Sequence, residues 1–186
     1  MTHDHAQAAG SNDDAPVELV PYDSAWPAKF ETERDVLATI LKPWIIGKIE
    51  HIGSTAVPEL TAKPVIDIMA PIRTLESSRA AIEAATGIGY IYYYPYKAEV
   101  MHWFCKPSPS YRTHHLHLVP LSSPLWEQRL LFRDALRHSQ ALAAEYAQLK
   151  LRLAQQYRTD REAYTEGKTS FIQHVLSGMS TRGRAT

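Results

Sequence analysis

His51-Ile-Gly-Ser-Thr-Ala-Val-Pro58, followed by Lys63-Pro-Val-Ile-Asp67-Ile-Met-Ala70, is the stretch from which the fold and the candidate site are predicted. The first segment predicts a strand that ends in a Gly-Ser turn, and such a turn can present backbone N–H groups to a phosphate. The second segment predicts a buried strand, because the run from Val65 to Ile72 is almost wholly apolar. Within that run, the carboxylate of Asp67 is costly to bury unless a cation, a metal ion or hydrogen-bond donors compensate it.

The composition is that of an ordinary globular chain. Its 186 residues are 45% hydrophobic and 22% charged, which is sufficient for a sizeable core in one domain, with or without a helical extension. Twenty Lys and Arg residues balance twenty Asp and Glu residues, which argues against broad nucleic-acid binding. The single cysteine, Cys105, excludes an intrachain disulfide, and no apolar run reaches the roughly 18 residues of a membrane span. A cytoplasmic protein without a membrane association is therefore expected, and the composition does not indicate an oligomeric state.

The first two thirds of the chain predict a mixed sheet with helices on it. Residues 1–16 are small, polar and acidic, and are expected to form a disordered tail. After Asp23-Ser24, apolar side chains recur at helical spacing on one face of a helix: Trp26, Phe30, Leu37 and Leu41. The apolar and β-branched runs predict strands over 44–52, 65–72, 100–106 and 113–119, with a helix over 74–85 between the second and third.

From Ser123 onward the pattern is helical. Ser123-Pro124 is typical of a helix start, and a second helix carries its apolar face from Leu142 to Tyr157. Thr159-Asp-Arg-Glu162 matches a capping box and predicts a third helix that ends near Gly178. We therefore predict an α+β protein with a sheet domain over 17–122, a C-terminal helical bundle over 123–178 packed on it, and a frayed tail over 179–186.

A histidine-rich strand is the second candidate for chemistry. In Thr113-His-His-Leu-His117, alternation directs His115 and His117 to the same face. Two such imidazoles can hold a metal ion or contact an anion, and His51 at the end of another strand could join them. Histidines that are hydrogen-bonded within the sheet are the structural alternative. The sequence has no His-x-x-x-His or His-Glu-x-x-His motif to support zinc.

Cationic and aromatic side chains supply further candidates. Lys63 is expected either to neutralise a phosphate or to pair with Asp67, and Arg133 is the cation of the helical half most expected to point into a site. The tyrosine-rich run over 90–96 can stack on a base or form half-buried surface. A series at roughly helical spacing indicates either a basic and aromatic wall or a solvated face: Lys150, Tyr157, Arg161, Tyr164 and Lys168.

Taken together, these motifs resemble the GrpB family over residues 17–176. The likeness is carried by Pro21-Tyr22-Asp23-x-x-Trp26, His51-Ile-Gly-Ser-Thr-x-Val57-Pro, Lys63-Pro-x-Ile-Asp67-Ile, His115-Leu-His117, Phe132-Arg133-Asp-x-Leu136-Arg and Tyr146-x-x-Leu149-Lys150. That family is grouped with the nucleotidyltransferase superfamily. The resemblance therefore implies a nucleotidyltransferase-like mixed sheet flanked by helices.

The resemblance also implies roles for individual residues. Gly53 and Ser54 match the turn that holds nucleotide phosphates, and Asp67 matches the first of the carboxylates that bind two Mg²⁺ ions in that superfamily. Met69 stands where the second carboxylate is expected, and the strand with His115 and His117 carries no acid. The two-metal mechanism therefore does not carry over intact.

Our first hypothesis is a protein that binds a nucleoside triphosphate with Mg²⁺ and transfers NMP to a small acceptor that the sequence does not identify. The expected nucleotide-binding or phosphate-binding residues are Gly53, Ser54, Thr55, Lys63 and Arg133. The expected metal ligands are Asp67, His115 and His117, and Asp67 and His117 are the candidate catalytic residues. The alternatives are a catalytically degenerate binding or accessory domain near coenzyme A metabolism, because GrpB-type domains also occur fused to dephospho-CoA kinase, and a His/Asp metal-dependent enzyme of another class.

Overall fold

A five-stranded mixed sheet organises the computed structural model, which describes residues 16–93 and 96–182. The order across the sheet is β1-β2-β5-β4-β3, in which β2 and β5 are parallel and the other neighbours are antiparallel. The strands are β1 (Glu50–Ile52), β2 (Ile66–Ile72), β3 (Ile91–Tyr92), β4 (His102–Pro107) and β5 (Arg112–Pro120). Residues 1–15 of the predicted N-terminal tail, Tyr94 and Pro95 of the tyrosine run, and residues 183–186 of the predicted C-terminal tail lie outside the described residues.

Helices cover both faces of this sheet. They are α1 (Trp26–Ile40), a short 3-10 helix (Ser54–Ala56), α2 (Ala80–Thr86), α3 (Pro124–His138), α4 (Gln140–Gln156), α5 (Arg161–Glu166) and α6 (Thr169–Arg182). The side chain of Ser123 caps α3 by accepting a hydrogen bond from the Leu125 N–H. The prediction of an α+β fold with a mixed sheet flanked by helices is confirmed. None of the helices in the described ranges is both long and apolar enough to cross a membrane.

Alternation along β2 divides the core into two layers. Ile66, Ile68, Ala70 and Ile72 pack with the buried face of α1, including Trp26, Phe30, Leu37 and Leu41, as predicted. Met69 belongs to the opposite layer, where it packs with Ile52, Trp103, Cys105 and Val119 beneath side chains at the start of α3. Asp67 is two residues from Met69, so it shares this second face. The candidate site is therefore located between the sheet and the C-terminal helices.

The predicted strand over 44–52 is wrong for most of its length. Only Glu50–Ile52 is strand, and Ile45 makes an isolated bridge to Ile72. The carbonyl of Leu41 accepts hydrogen bonds from the Trp44 and Ile45 N–H groups, so the end of α1 continues into turns. Of the β-branched residues here, Ile49 is buried and Ile45 is half-buried against the sheet, whereas Ile46 is exposed.

Two predicted helix boundaries also need correction. The helix predicted over 74–85 begins at Ala80, because Ser78 and neighbouring hydroxyls hydrogen-bond the Thr74 carbonyl and hold local turns instead. The third C-terminal helix is capped by Asp160, breaks between Glu166 and Thr169, and continues to Arg182 instead of ending near Gly178. At the break, Gly167 packs closely on α4, because an added Cβ atom would lie 3.1 Å from Leu153 Cδ1.

Candidate functional site

The register of the sheet assembles the site. The parallel pairing of β2 with β5 sets Asp67 opposite His115 and Met69 opposite His117. The antiparallel pairing of β1 with β2 sets Ile52 opposite Asp67, which brings the turn that follows β1 to the same place. Because side chains alternate with a period of two, a slip of one residue would move these groups to the other face of the sheet.

The predicted metal ligands Asp67, His115 and His117 lie together. His115 Nδ1 lies 2.8 Å from Asp67 Oδ1, and His117 Nε2 lies 3.6 Å from the same oxygen. One candidate ligand atom from each residue lies within 4.8 Å of the others. Nε2 of both histidines is buried without a hydrogen-bond partner, which is unusual for an imidazole nitrogen unless a ligand or ion completes it.

The protonation states of this cluster are those that a metal site requires. Burial opposes ionisation of Asp67, but the hydrogen bond from His115 Nδ1 and the nearby His117 imidazole hold the pKa of its carboxyl well below the usual value. Burial lowers the pKa of His115, with Asp67 opposing the shift. Burial lowers the pKa of His117 to about 4, with Asp67 opposing the shift and the charge of Arg129 adding to it. At neutral pH the cluster therefore presents an ionised carboxylate and neutral imidazoles.

Gly53 packs against the Asp67 carboxylate. Its φ of 71° lies in the left-handed region, and a Cβ atom at this position would lie 2.9 Å from Asp67 Cγ. Both observations require a residue without a side chain. The predicted Gly-Ser turn is thus next to the predicted carboxylate, at the start of the short 3-10 helix.

Thr55 holds the turn in place from inside. Its hydroxyl donates to the Val65 carbonyl at 3.0 Å and therefore accepts from His51 Nε2, also at 3.0 Å. Thr55 is only 1% exposed, so its side chain ties the turn to the beginning of β2. His51, which the sequence suggested as a third imidazole, contacts Thr55 and stacks on Phe30 instead of joining the metal cluster.

Lysines and tyrosines from the C-terminal helices face the turn. Lys150 is 2% exposed and donates from Nζ to Ser54 Oγ at 3.1 Å and to the Thr61 carbonyl. Lys63 Nζ and Lys168 Nζ lie 5.1 Å and 4.3 Å from the ring centroid of Tyr164, and Lys150 Nζ lies 5.0 Å from that of Tyr146. We call these residues the lysine wall: Lys63, Tyr146, Lys150, Tyr164 and Lys168. Tyr157 of the predicted series packs in a cluster with Val17, Leu153 and Tyr164, and Arg161 begins α5.

The cations of the lysine wall repel one another. Burial, then the charge of Lys63, lowers the pKa of Lys150 to about 7. Burial, then Lys63, also lowers the pKa of Lys168 to about 7, with Asp67 opposing the shift and Lys150 and Arg129 adding to it. The wall and the Asp67 cluster are therefore electrostatically coupled. An anion bound here would relieve the repulsion.

Arg133 has two carboxylate partners. Its Nη1 donates to Glu50 Oε2 at 2.7 Å and to the His51 carbonyl at 3.0 Å, and its Nε donates to Asp134 Oδ1 at 2.7 Å. Glu50 stands opposite Met69 in the register. The phosphate-binding role of Arg133 stays a prediction, and the structure also gives the residue a position in an ion-pair network.

Two arginines at the site were not singled out from the sequence. The charge of Arg129 acts on His117 and Lys168, and that of Arg112 acts on His115. The Arg112 guanidinium also lies 5.4 Å from the ring centroid of Trp103, which is 5.0 Å from that of His115. In the sequence, only their positions could have indicated these two arginines. Arg129 is one helical turn before Arg133, and Arg112 begins the histidine strand.

Comparison with known proteins supports one family. The family model for the GrpB protein matches residues 16–177. A UPF0157 protein of Pseudomonas aeruginosa is 40% identical over 167 residues, which are 88% of this chain and 68% of that protein. The crystal structure of the conserved protein GrpB from Enterococcus faecalis matches with a TM-score of 0.77 and 33% identity, covering 87% of this chain and 96% of that one.

A shorter similarity reaches a protein of another name. A dephospho-CoA kinase of Mycolicibacterium paratuberculosis is 35% identical over 79 residues, which are 41% of this chain and 19% of that protein. The family model, in contrast, spans nearly all of the described residues, and the GrpB structure shares their fold. The chain belongs to the GrpB protein family.

Proposed function

We propose that the chain binds a nucleoside triphosphate together with one divalent metal ion and transfers NMP to a small acceptor, with release of pyrophosphate. The observation that carries the proposal is the cluster of Asp67, His115 and His117, whose two buried and unpartnered Nε2 atoms lie next to a wall of mutually repelling lysines. A divalent ion fits the cluster, and a polyphosphate supplies negative charge next to the lysines of the wall.

The donor set favours a different ion from the Mg²⁺ that the family resemblance implies. Mg²⁺ prefers oxygen ligands, whereas two imidazoles and one carboxylate suit Mn²⁺, Fe²⁺ or Zn²⁺. Met69 is fully buried among apolar side chains, so it offers no second carboxylate for a two-metal arrangement. We therefore propose a single first-row transition-metal ion.

Each group then has a separate task. The metal ion, when bound, polarises a phosphoryl oxygen. Lys150, Lys63 and Lys168 neutralise phosphate charge, and Lys150 also fixes the Ser54 hydroxyl at the turn. Gly53 leaves room for the Asp67 carboxylate. We assign His117 to metal binding instead of general-base catalysis, because ligation uses the lone pair that a base would need.

The test combines titration calorimetry with turnover of α-labelled ATP. We expect Mn²⁺ to bind in the micromolar range or tighter, ATP affinity to rise with the metal, and Asp67→Asn to abolish both effects. Asp35→Asn is the matched control, because Asp35 is exposed on α1. If Asp67→Asn leaves metal affinity and metal-dependent ATP affinity unchanged, the proposal is wrong.

A second candidate is an accessory binding domain without turnover. The buried Met69 and the partial likeness to a dephospho-CoA kinase favour it. Metal-dependent binding of ATP or dephospho-CoA with no label transfer to any acceptor in a metabolite panel would select it. Tight binding of a transition metal with no nucleotide affinity would instead select a His/Asp metal-dependent enzyme of another class.

A further inference from the structure

A second cavity lies on the other side of the 53–58 turn from Asp67. It has a volume of about 820 Å³, opens to solvent, and is lined by α1, β1, residues 56–60, α3 and the beginning of α4. Cavities of roughly 300 to 1,000 Å³ are typical of small-molecule sites. Asp67, His115, His117 and the lysine wall do not contribute to its lining.

Two buried polar side chains reach this cavity. His51 is 7% exposed and Arg133 is 9% exposed, and both line it. Because the Thr55 hydroxyl donates to Val65, His51 must donate from Nε2, which leaves its Nδ1 as an acceptor. Burial, the largest cause, lowers the pKa of His51 to about 4, so the ring is neutral at physiological pH. The cavity therefore has a fixed hydrogen-bond acceptor stacked on Phe30.

Of the cations that line this cavity, Arg137 has the most N–H groups without a hydrogen-bond acceptor among the described residues. Its Nε donates to the Ala56 carbonyl at 2.8 Å, while its Nη1 lies 3.7 Å from Asp134 Oδ1, beyond hydrogen-bonding distance. Asp134 already accepts from Arg133 at 2.7 Å. Burial, then the charge of Arg133, lowers the pKa of Arg137, as expected for a cation without a full counter-charge.

The other charges of the lining are paired or lie at the rim. Arg34 contacts Glu31 and Asp35, and Lys48 Nζ lies 3.5 Å from Glu50 Oε1. Glu59 is exposed at the rim and has a φ of 63°, an uncommon conformation for a residue with a side chain. Such backbone strain is found at ligand sites more often than elsewhere.

The rest of the cavity lining is apolar. Phe30, Val57, Leu60 and Leu136 are buried and face small side chains of α4, among them Ala143 and Ala147. Small residues on α4 leave the volume open, because longer side chains at these two positions would extend into it.

We propose that this cavity is a second small-molecule site, which takes an organic anion whose carboxylate or phosphate group binds Arg137 and whose apolar body lies between Phe30 and the alanines of α4. The site is separate from the metal cluster, so the inference does not depend on the proposed function.

The test uses phenyl phosphate and phenylacetate as anionic probes, with phenylacetamide as the neutral counterpart. Binding is followed by two-dimensional NMR of the full chain. We expect the anions, at millimolar concentration or below, to shift signals of Ala56, Ala143 and Ala147, and the amide to bind at least about tenfold more weakly. Arg137→Gln should remove this preference for the anion, and Ala147→Leu should weaken both probes by filling the cavity.

Control variants separate this site from the first one. Arg152→Gln removes an exposed arginine on α4 outside the cavity, and Asp67→Asn disables the metal cluster, so both should leave probe binding unchanged. Ala143→Leu provides a second filled cavity should Ala147→Leu fail to fold. The proposal is overturned if no probe shifts the cavity signals, if anion and amide bind equally, or if Arg137→Gln leaves the affinity unchanged.

Discussion

The carboxylate of Asp67 packs directly against the Cα atom of Gly53, so that a Cβ atom at residue 53 would lie within 3.0 Å of both Asp67 Cγ and Asp67 Cβ. The turn and the carboxylate are therefore in close contact, and a side chain at residue 53 would displace the carboxylate. The positive φ of Gly53 adds an independent reason for the residue type.

Gly53→Ala should destabilise the fold and damage the metal site. The left-handed backbone and the overlap with Asp67 together should lower the free energy of unfolding by about 2 to 4 kcal/mol, as measured by urea titration. Metal affinity should fall as well, because the Asp67 carboxylate must move.

Gly178→Ala is the control for that change, with the opposite sign. Gly178 lies within α6, and a Cβ atom there would meet no heavy atom within 4 Å. Alanine has the higher helix propensity, so the free energy of unfolding should rise by about 0.5 to 1 kcal/mol. Equal effects of the two substitutions would contradict the structural role of Gly53.

His117→Gln should weaken metal binding and reduce the preference for transition ions. Loss of one imidazole ligand should lower Mn²⁺ or Zn²⁺ affinity by at least about tenfold, with a smaller effect on Mg²⁺. Titration calorimetry with each ion measures the change. His174→Gln, on the exposed surface of α6, should have no effect, and equal affinity for Mg²⁺ and Mn²⁺ in the unsubstituted protein would count against the assigned ligand set.

Lys150 should make stability depend on pH. Burial, then the charge of Lys63, lowers the pKa of Lys150 from 10.5 in the unfolded chain to about 7 in the folded one. Between these values the unfolded chain binds more protons at this residue, so the free energy of unfolding contributed by Lys150 rises with pH. The penalty for burying the charge is fully present below about pH 7.

Lys150→Met removes that dependence. Urea titrations from about pH 7 to 10 should show the unsubstituted protein gaining stability relative to the variant, with a slope of at most about 1.4 kcal/mol per pH unit. Lys42→Met, at an exposed position after α1, should leave the slope unchanged. Parallel stability curves for the Lys150 variant and the unsubstituted protein would show that Lys150 is not neutralised by folding.

Arg133 and Glu50 should be coupled in their effects on the free energy of unfolding. Their side chains are 10% and 16% exposed, so removal of one partner leaves a largely buried charge. Arg133→Met and Glu50→Gln should each lower the free energy of unfolding by about 2 to 4 kcal/mol, and the double variant should lose about 1 to 3 kcal/mol less than their sum. The exposed pair of Lys29 with Asp23 should show a much smaller coupling in the same cycle. Additive losses at Arg133 and Glu50 would mean that the pair acts only through packing.

The sequence was sufficient to predict that Asp67, His115 and His117 lie together, but not which side chains surround them. An Asp within an apolar strand and two histidines at alternate positions of another strand are local patterns, and alternation alone assigns each to a face. The register of β2 with β5 places Asp67 and the histidines on the same face of the sheet. This register joins residues that are 48 positions apart in the chain. The contribution of Arg129 depends on how α3 is rotated against the sheet, and no local pattern records that rotation.

The same distinction explains the errors in the fold. Trp44 and Ile45 favour strand by composition, but their N–H groups donate to the Leu41 carbonyl, which keeps this backbone in turns. After α5, Gly167 ends the helix where an added Cβ atom would meet Leu153 of α4, a contact that helix periodicity cannot detect. A local turn decided the first place, and a contact with another helix accompanies the second.

The parallel pairing of β2 with β5 also determines when the metal ligands can meet during folding. A contact between residues 48 positions apart requires closure of a long loop, and antiparallel β4 must pair with β5 as part of the same sheet. Asp67 and the two histidines therefore stay apart until the central strands have docked. A chain that has formed its helices but not this pairing lacks the cluster of Asp67, His115 and His117, so the cluster forms only once the central strands are paired.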